Sequence, residues 1–268
     1  MRWPTLFIPH GGGPCFFMEP QPGLPRDLWD RMAAYLRGID PSLGRRPDAV
    51  LVVSGHWEEP QPTVNVARHP PLLFDYYGFP EHTYRLTYPV AGSPALAARV
   101  RSLVAAAGFA SDEDAGRGLD HGVFVPFKLI YPEADVPIVQ LSLHGSRDAR
   151  TQLAVGRALM PLRDEGVLVV GSGMSYHNLR EFFVDDPRRN QPADDFDRWL
   201  YDTVVSPPAM RESKLAAWAD APGARASHPT PEHLLPLMIA AGAAGSDAGV
   251  RTYHDRLLGK AVSGFQFG

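Results

Sequence analysis

Apolar residues in this chain follow two rhythms. Short continuous runs rich in β-branched side chains occur at Thr5 to Pro9, Ala49 to Ser54, Ile138 to Leu143 and Val167 to Gly171. Polar or glycine-containing sequence follows each run, as where a buried strand leaves a core, so each predicts a strand. Between them, Leu28 to Leu36, Pro94 to Ala107 and Thr151 to Glu165 place their apolar residues at helical spacing, with Pro94 where a first-turn proline is tolerated. Strands and helices alternate. That order predicts an α/β fold, a three-layer α/β/α arrangement with a central, mostly parallel or mixed sheet covered on both faces.

Two stretches break the rhythm. Pro60 to Pro89, with several prolines and Tyr76-Tyr77-Gly78, reads as a long excursion or hairpin that forms a lid or rim. Asp185 to Asp195 is polar and proline-bearing, and Pro207-Pro208 interrupts a later helical pattern. No linker or repeat forces a boundary, and 268 residues suffice for one large core, so residues 1–268 read as a single catalytic domain.

Composition mainly excludes. With 44% hydrophobic and 21% charged residues the chain matches an ordinary globular protein, and neither disorder nor a membrane span is expected. A net charge of -4 with scattered arginines leaves no basic tract for nucleic acid. The single cysteine, Cys15, permits no intrachain disulfide, and the first apolar run is too short for a signal-peptide core. Both features predict a cytoplasmic protein whose mature form starts near residue 1.

Candidate chemistry gathers where the predicted strands end, the usual ligand-binding edge of an α/β sheet. His10 ends the first strand and enters Gly11-Gly12-Gly13-Pro14; His56 ends the second and precedes Trp57; His177 lies just beyond the fourth. His233 opens a further helical run, with Thr230 as its expected N-cap and Pro231 at its first position. Imidazole nitrogen suits iron and zinc, whereas magnesium and calcium prefer oxygen ligands. Three histidines on one face would leave open positions for substrate, water or dioxygen.

Taken singly, a histidine after a strand is more often a hydrogen-bonded residue than a ligand, and the long intervals between these four carry little weight; their shared placement does. Adjacent residues on a helix point about 100° apart, so only one of Glu232 and His233 is expected to face a metal, and His233 is preferred because Glu232 suits a helix's first turn. His121 follows Asp120, which either orients the ring or caps the next helix. His228, between Ser227 and Pro229, reads either as a residue lining the pocket or, more safely, as a loop histidine. Cys15 has no base at a telling spacing and reads as a small buried residue. Ser172, in Gly171-Ser172-Gly173, lacks the G-x-S-x-G frame of a nucleophile elbow.

Together, Pro9-His10-Gly11-Gly12-Gly13-Pro14, Ser54-Gly55-His56-Trp57, Leu119-Asp120-His121-Gly122, Pro137 to Ser142, Gly171-Ser172-Gly173 with His177-Asn178-Leu179-Arg180, and Pro229-Thr230-Pro231-Glu232-His233 resemble the class III extradiol ring-cleaving dioxygenases. The branch they resemble is the DOPA-dioxygenase-like one of the LigB superfamily. These motifs span nearly the whole chain in order. The resemblance implies a metal held by His10, His56 and His233, with ferrous iron as the working metal and zinc also able to occupy the site. It further implies His177 as acid/base, His121 as a hydrogen-bond partner of the substrate or oxygenated intermediate, and a catechol and dioxygen as the small-molecule partners. The chain departs from the commoner His-Gly-Ser-Pro start by its Gly12-Gly13, and Met174-Ser175-Tyr176 also varies, which bears on the identity of the catechol. Two other function classes remain to be weighed: a zinc hydrolase on the same three histidines, and a non-catalytic binding module of the same fold.

Overall fold

The computed structural model describes residues 2–268. Among them, eight strands form one mixed sheet: β1 (Thr5–Pro9), β2 (Ala49–Glu59), β3 (Thr63–Asn65), β4 (Asp112–Asp114), β5 (Ile138–His144), β6 (Val167–Gly173), β7 (Gly249–Leu257) and β8 (Lys260–Phe267), in the order β4-β3-β5-β2-β6-β1-β8-β7. The four central strands β5, β2, β6 and β1 are mutually parallel, while β8 runs antiparallel to β1 and β3 antiparallel to β5. The four predicted strands are the four central ones.

Both faces of this centre are buried, which explains why the strands read as unbroken apolar runs. Phe7, Leu51, Val53 and Val169 pack into one core with helices α2 (Pro94–Ala106), α4 (Ala149–Leu159) and α9 (Leu235–Ala244). Leu6, Ile8, Val50, Val52 and Val170 point the other way, onto α1 (Asp30–Leu43) and α3 (His121–Ile130). The architecture is therefore the three-layer α/β/α arrangement expected. Ser93 caps α2 by accepting from the Leu96 backbone N–H, with Pro94 at the first turn as the sequence suggested. Helix α9 is buried on every side, as suits a helix of Leu, Met, Ile, Ala and Gly.

Three local expectations change. Residues 185–195 do not form an irregular stretch: after the single-turn α5 (Leu179–Phe182), helix α6 (Pro187–Val204) begins there, capped by Asp186 and with Pro187 in its first turn. Ala193, Phe196, Leu200 and Val204 give it a buried stripe at helical spacing, and it continues into α7 (Pro208–Ala216) after the Pro207-Pro208 break. The stretch 60–89 is not a hairpin, because its β3 joins the main sheet beside β5. Nor does His233 open a helix. After the short α8 (Ala224–Ser227), helix α9 starts only at Leu235 with Pro236 in its first turn, and Thr230 donates to the Glu232 carboxylate instead of capping.

Candidate active site

The carboxyl ends of the central strands bring the histidines together. His10 leaves β1, and its backbone N–H donates to the Gly173 carbonyl at the end of β6. His56 lies on β2 where six residues, Val53 to Glu58, run opposite only the three from Leu141 to Leu143 of β5. Such a bulge bends a strand and re-aims its side chains. The turn carrying His233 is fixed to β6 by its carbonyl, which accepts from the Met174 N–H. Gly173 permits this approach, since a side chain there would collide with that same His233 carbonyl.

One nitrogen from each of His10, His56 and His233 lies within 4.8 Å of the other two. The Nε2 atoms of His56 and His233 stand 3.2 Å apart. Each ring's other nitrogen faces an oxygen acceptor: His10 Nδ1 the Gly11 carbonyl at 3.0 Å, His233 Nδ1 the Glu232 carboxylate at 3.2 Å, and His56 Nδ1 the Asp75 carboxylate at 3.5 Å. A proton held at Nδ1 leaves the Nε2 lone pair free, the tautomer a metal needs. His10 Nε2 is buried with no partner in the protein, a costly state for a polar atom unless something binds there.

Burial keeps these rings neutral. It pushes the pKa of His56 down to about 3 and that of His177 to about 4, and holds His10 and His233 well below the usual imidazole range. Neighbouring histidines add to the effect. The donor set thus fits a borderline metal such as iron or zinc, which binds neutral imidazole. Two other groupings, His56 with Asp75 and His121, and His177 with Glu232 and His233, also lie close. In each of them the carboxylate already serves an imidazole Nδ1, so it acts from behind the ring.

The other sequence-predicted residues are placed as follows. His177 follows β6, and its ring stacks on His233 at 3.4 Å between centroids, with its Nδ1 3.8 Å from Glu232. His121 begins α3 and lies 4.0 Å, ring to ring, from His56. Both line the same cavity as the three clustered histidines. Asp120 neither orients the His121 ring nor caps α3 through its side chain; it is buried beneath the site and accepts from Ser54 and Gln140. Of Glu232 and His233, it is His233 that stands close to both His10 and His56, and Glu232 is bonded to its other ring nitrogen.

His228 does not line the cavity: it is fully buried among Phe196 and Trp218, with Nε2 bonded to the Ser175 carbonyl. Cys15 is buried and its thiol pushed up to about 12, which leaves no thiolate for nucleophilic attack. Ser172 donates to the Gly122 carbonyl and ties β6 to α3.

Asp75 escaped the sequence. Its Oδ1 accepts from the His121 ring at 2.8 Å and from the His121 backbone N–H at 2.9 Å, while its Oδ2 faces His56. Burial works against its charge, but the bonds from His121 outweigh that and hold the carboxyl below its usual range. The only available signal was one aspartate inside the aromatic run Phe74-Asp75-Tyr76-Tyr77. From the same stretch Tyr76 and Phe79 reach the cavity, so 60–89 does supply part of its rim.

A buried cluster of neutral imidazoles at the strand ends of an α/β sheet is a donor set that fits a metal ion, and comparison with known proteins gives the family. Residues 4–265 match the model for the catalytic LigB subunit of aromatic ring-opening dioxygenases, and the chain belongs to this family of extradiol enzymes. The 4,5-DOPA dioxygenase extradiol of Beta vulgaris is 39% identical over 82% of this chain and 81% of its own length. Its namesake in Escherichia coli (strain K12) is 36% identical over 90% and 85%, and the dioxygenase tasH of Hapsidospora irregularis 38% over 99% and 85%. A crystal structure of an uncharacterized protein from Escherichia coli K12 shares the fold with a TM-score of 0.78 at 30% identity over the full length of both chains. Among the described residues no helix is long and apolar enough to cross a membrane.

Proposed function

We propose that the chain, acting as one catalytic domain over residues 1–268, uses dioxygen to open the ring of a catechol beside its two hydroxyls. The observation that carries this is the buried group of His10, His56 and His233, three imidazoles oriented from behind and one of them with an unpartnered inward nitrogen. These residues would hold the metal, with ferrous iron as the working ion and zinc able to take the same donors. When bound, the metal supplies Lewis acidity toward the catechol oxygens and the route by which dioxygen is activated.

The protein's own share is proton handling and positioning. His177 is neutral at pH 7, because burial lowers its pKa to about 4, so its lone pair can take a catechol proton and later return it. Glu232, 3.8 Å from its Nδ1, offers a counter-charge to the imidazolium formed. His121, its Nδ1 facing Asp75 and its ring on the cavity wall, turns its other nitrogen toward the substrate oxygens. His121 is buried and His177 and Glu232 are only partly exposed, and the lower local dielectric strengthens each hydrogen bond.

The test is oxygen uptake by anaerobically iron-loaded protein given a panel of catechols that includes DOPA, followed by absorbance of the ring-opened product. Uptake with a new visible band is expected. No uptake by fully loaded protein with any catechol would reject the proposal.

A further inference from the structure

The cavity that ends on the histidines is larger than a catechol needs. Its volume is about 410 Å³, within the range of roughly 300–1,000 Å³ found for sites that enclose drug-sized ligands. A single six-carbon ring at the histidines leaves much of that space to whatever the ring carries. The lining shows what that is.

Next to the histidines the wall is aromatic. Trp29 packs over the glycine turn that follows His10, with its ring 3.7 Å from where a side chain on Gly12 would begin. Its plane lies within 9° of that of Phe182, 6.4 Å between centroids. Phe16 meets it edge-on at 6.3 Å. Farther out, Leu179 and Phe183 border the same cavity although each is 65% exposed. Large apolar side chains left open to water beside a cavity mark where an apolar ligand completes the surface.

Charge is arranged the opposite way. The acidic and basic side chains bordering the cavity, Glu19, Arg26, Asp30 and Arg37, are all exposed. Inside, the polar lining is histidine, tyrosine and one protonated thiol. An enclosed α-amino acid group would need a buried cation for its carboxylate and a buried anion for its ammonium, because either ion stripped of water without a partner costs several kcal/mol. No such pair lines the inner cavity among the described residues.

Resting on the ring-opening reading above, we infer that the preferred substrate is a catechol bearing a flat apolar substituent of at least phenyl size. The substituent lies along Trp29 and Phe182 with its outer edge toward Leu179 and Phe183. Catechols carrying an amino acid side chain, DOPA among them, are the poorer ligands.

Calorimetric titration of the zinc-loaded full chain tests this without turnover, using catechol, 3- and 4-phenylcatechol and DOPA. One phenylcatechol should bind at least about tenfold more tightly than catechol, given the value of aromatic contact and burial, and DOPA no more tightly than catechol. Trp29→Ala should reduce the phenylcatechol-to-catechol preference about tenfold, and Phe183→Ala, at an exposed position where folding is not at stake, about threefold. Tighter binding of DOPA than of both phenylcatechols overturns the inference, as does an equal loss for all ligands in Trp29→Ala. Oxygen uptake by the iron-loaded protein separates the two proposals. Turnover of catechol or DOPA without phenylcatechol preference sinks only the inference. Phenylcatechol preference in binding with no oxygen uptake sinks only the ring-opening reading.

Discussion

The two ends of the parallel strands bury polar groups in opposite ways. At the amino ends, Arg163 is almost wholly buried, yet each nitrogen of its guanidinium is bonded: it donates to the carbonyls of Trp3, Ala243 and Ala244 and pairs with Asp247. Nearby, Arg211 donates to the carbonyls of Gly245 and Asp247. These side chains stitch the end of α9 to the first strand and to α7. At the carboxyl ends, five histidines face one another around a cavity, and His10 Nε2 and Glu232 Oε2 are buried with no partner. Satisfied buried polarity holds a fold together, whereas polarity left open at the ligand-binding edge of a sheet is reserved for something the chain must bind.

The sharpest break of that contrast is removal of a proposed ligand. His10→Ala, His56→Ala or His233→Ala should bring bound metal to background by atomic-emission analysis while the fold persists by circular dichroism; full metal occupancy in any one variant strikes that residue from the set. Next in size is His177→Ala, which should keep the metal and lose on the order of 10²–10⁴ in kcat, the usual weight of a general acid/base. Turnover equal to that of the parent would remove His177 from the chemistry.

At the other end the expected loss changes kind. Arg163→Met strands three carbonyls and the Asp247 carboxylate, so stability should fall by about 3 kcal/mol with metal content unchanged. Urea unfolding and metal analysis on the same sample would show it, and loss of metal in the still-folded variant would blur the contrast. Smaller again is Asp75→Asn. It leaves every proposed ligand in place but weakens the acceptor behind His121 and His56, and metal affinity should drop about 10–100-fold, as for other residues that orient ligands.

How far the sequence could be read follows the same division. The central strands were legible because burial on both faces demands continuous apolar runs, and the histidines at their ends stood out by position. The edge hairpin of β7 and β8 was not. Strand β7 alternates Arg251, His254 and Arg256 with buried Tyr253 and Leu257, and its turn uses Leu258-Gly259, both at positive φ, without the asparagine or aspartate that usually announces such a turn. Helix α6 hid behind two prolines, one of which starts it and the other of which it absorbs. The grouping of His10, His56 and His233 was carried by family resemblance, since only the fold brings such distant positions together. Asp75 carried no motif, and its partner His121 lies 46 positions away.

The smallest effect tests whether burial without function leaves a signature of its own. His228 shares the neutrality of the site histidines but not their cavity, and burial holds its pKa at about 3. An unfolded histidine titrates near 6.5, so as pH falls through that value the unfolded chain takes up a proton that folded His228 refuses. Protons then favour the unfolded state, and stability declines as pH drops from about 6.5 toward about 3. At pH 5.5 one such histidine should account for about 1.4 kcal/mol of the loss relative to pH 7.5. His228→Gln keeps a donor for the Ser175 carbonyl and cannot titrate, so the metal-free variant should lose less stability than the parent over this interval. Urea midpoints at the two pH values decide it: parallel declines would mean that His228 is protonated in the folded chain, and that the low pKa histidines of this protein are confined to the cavity.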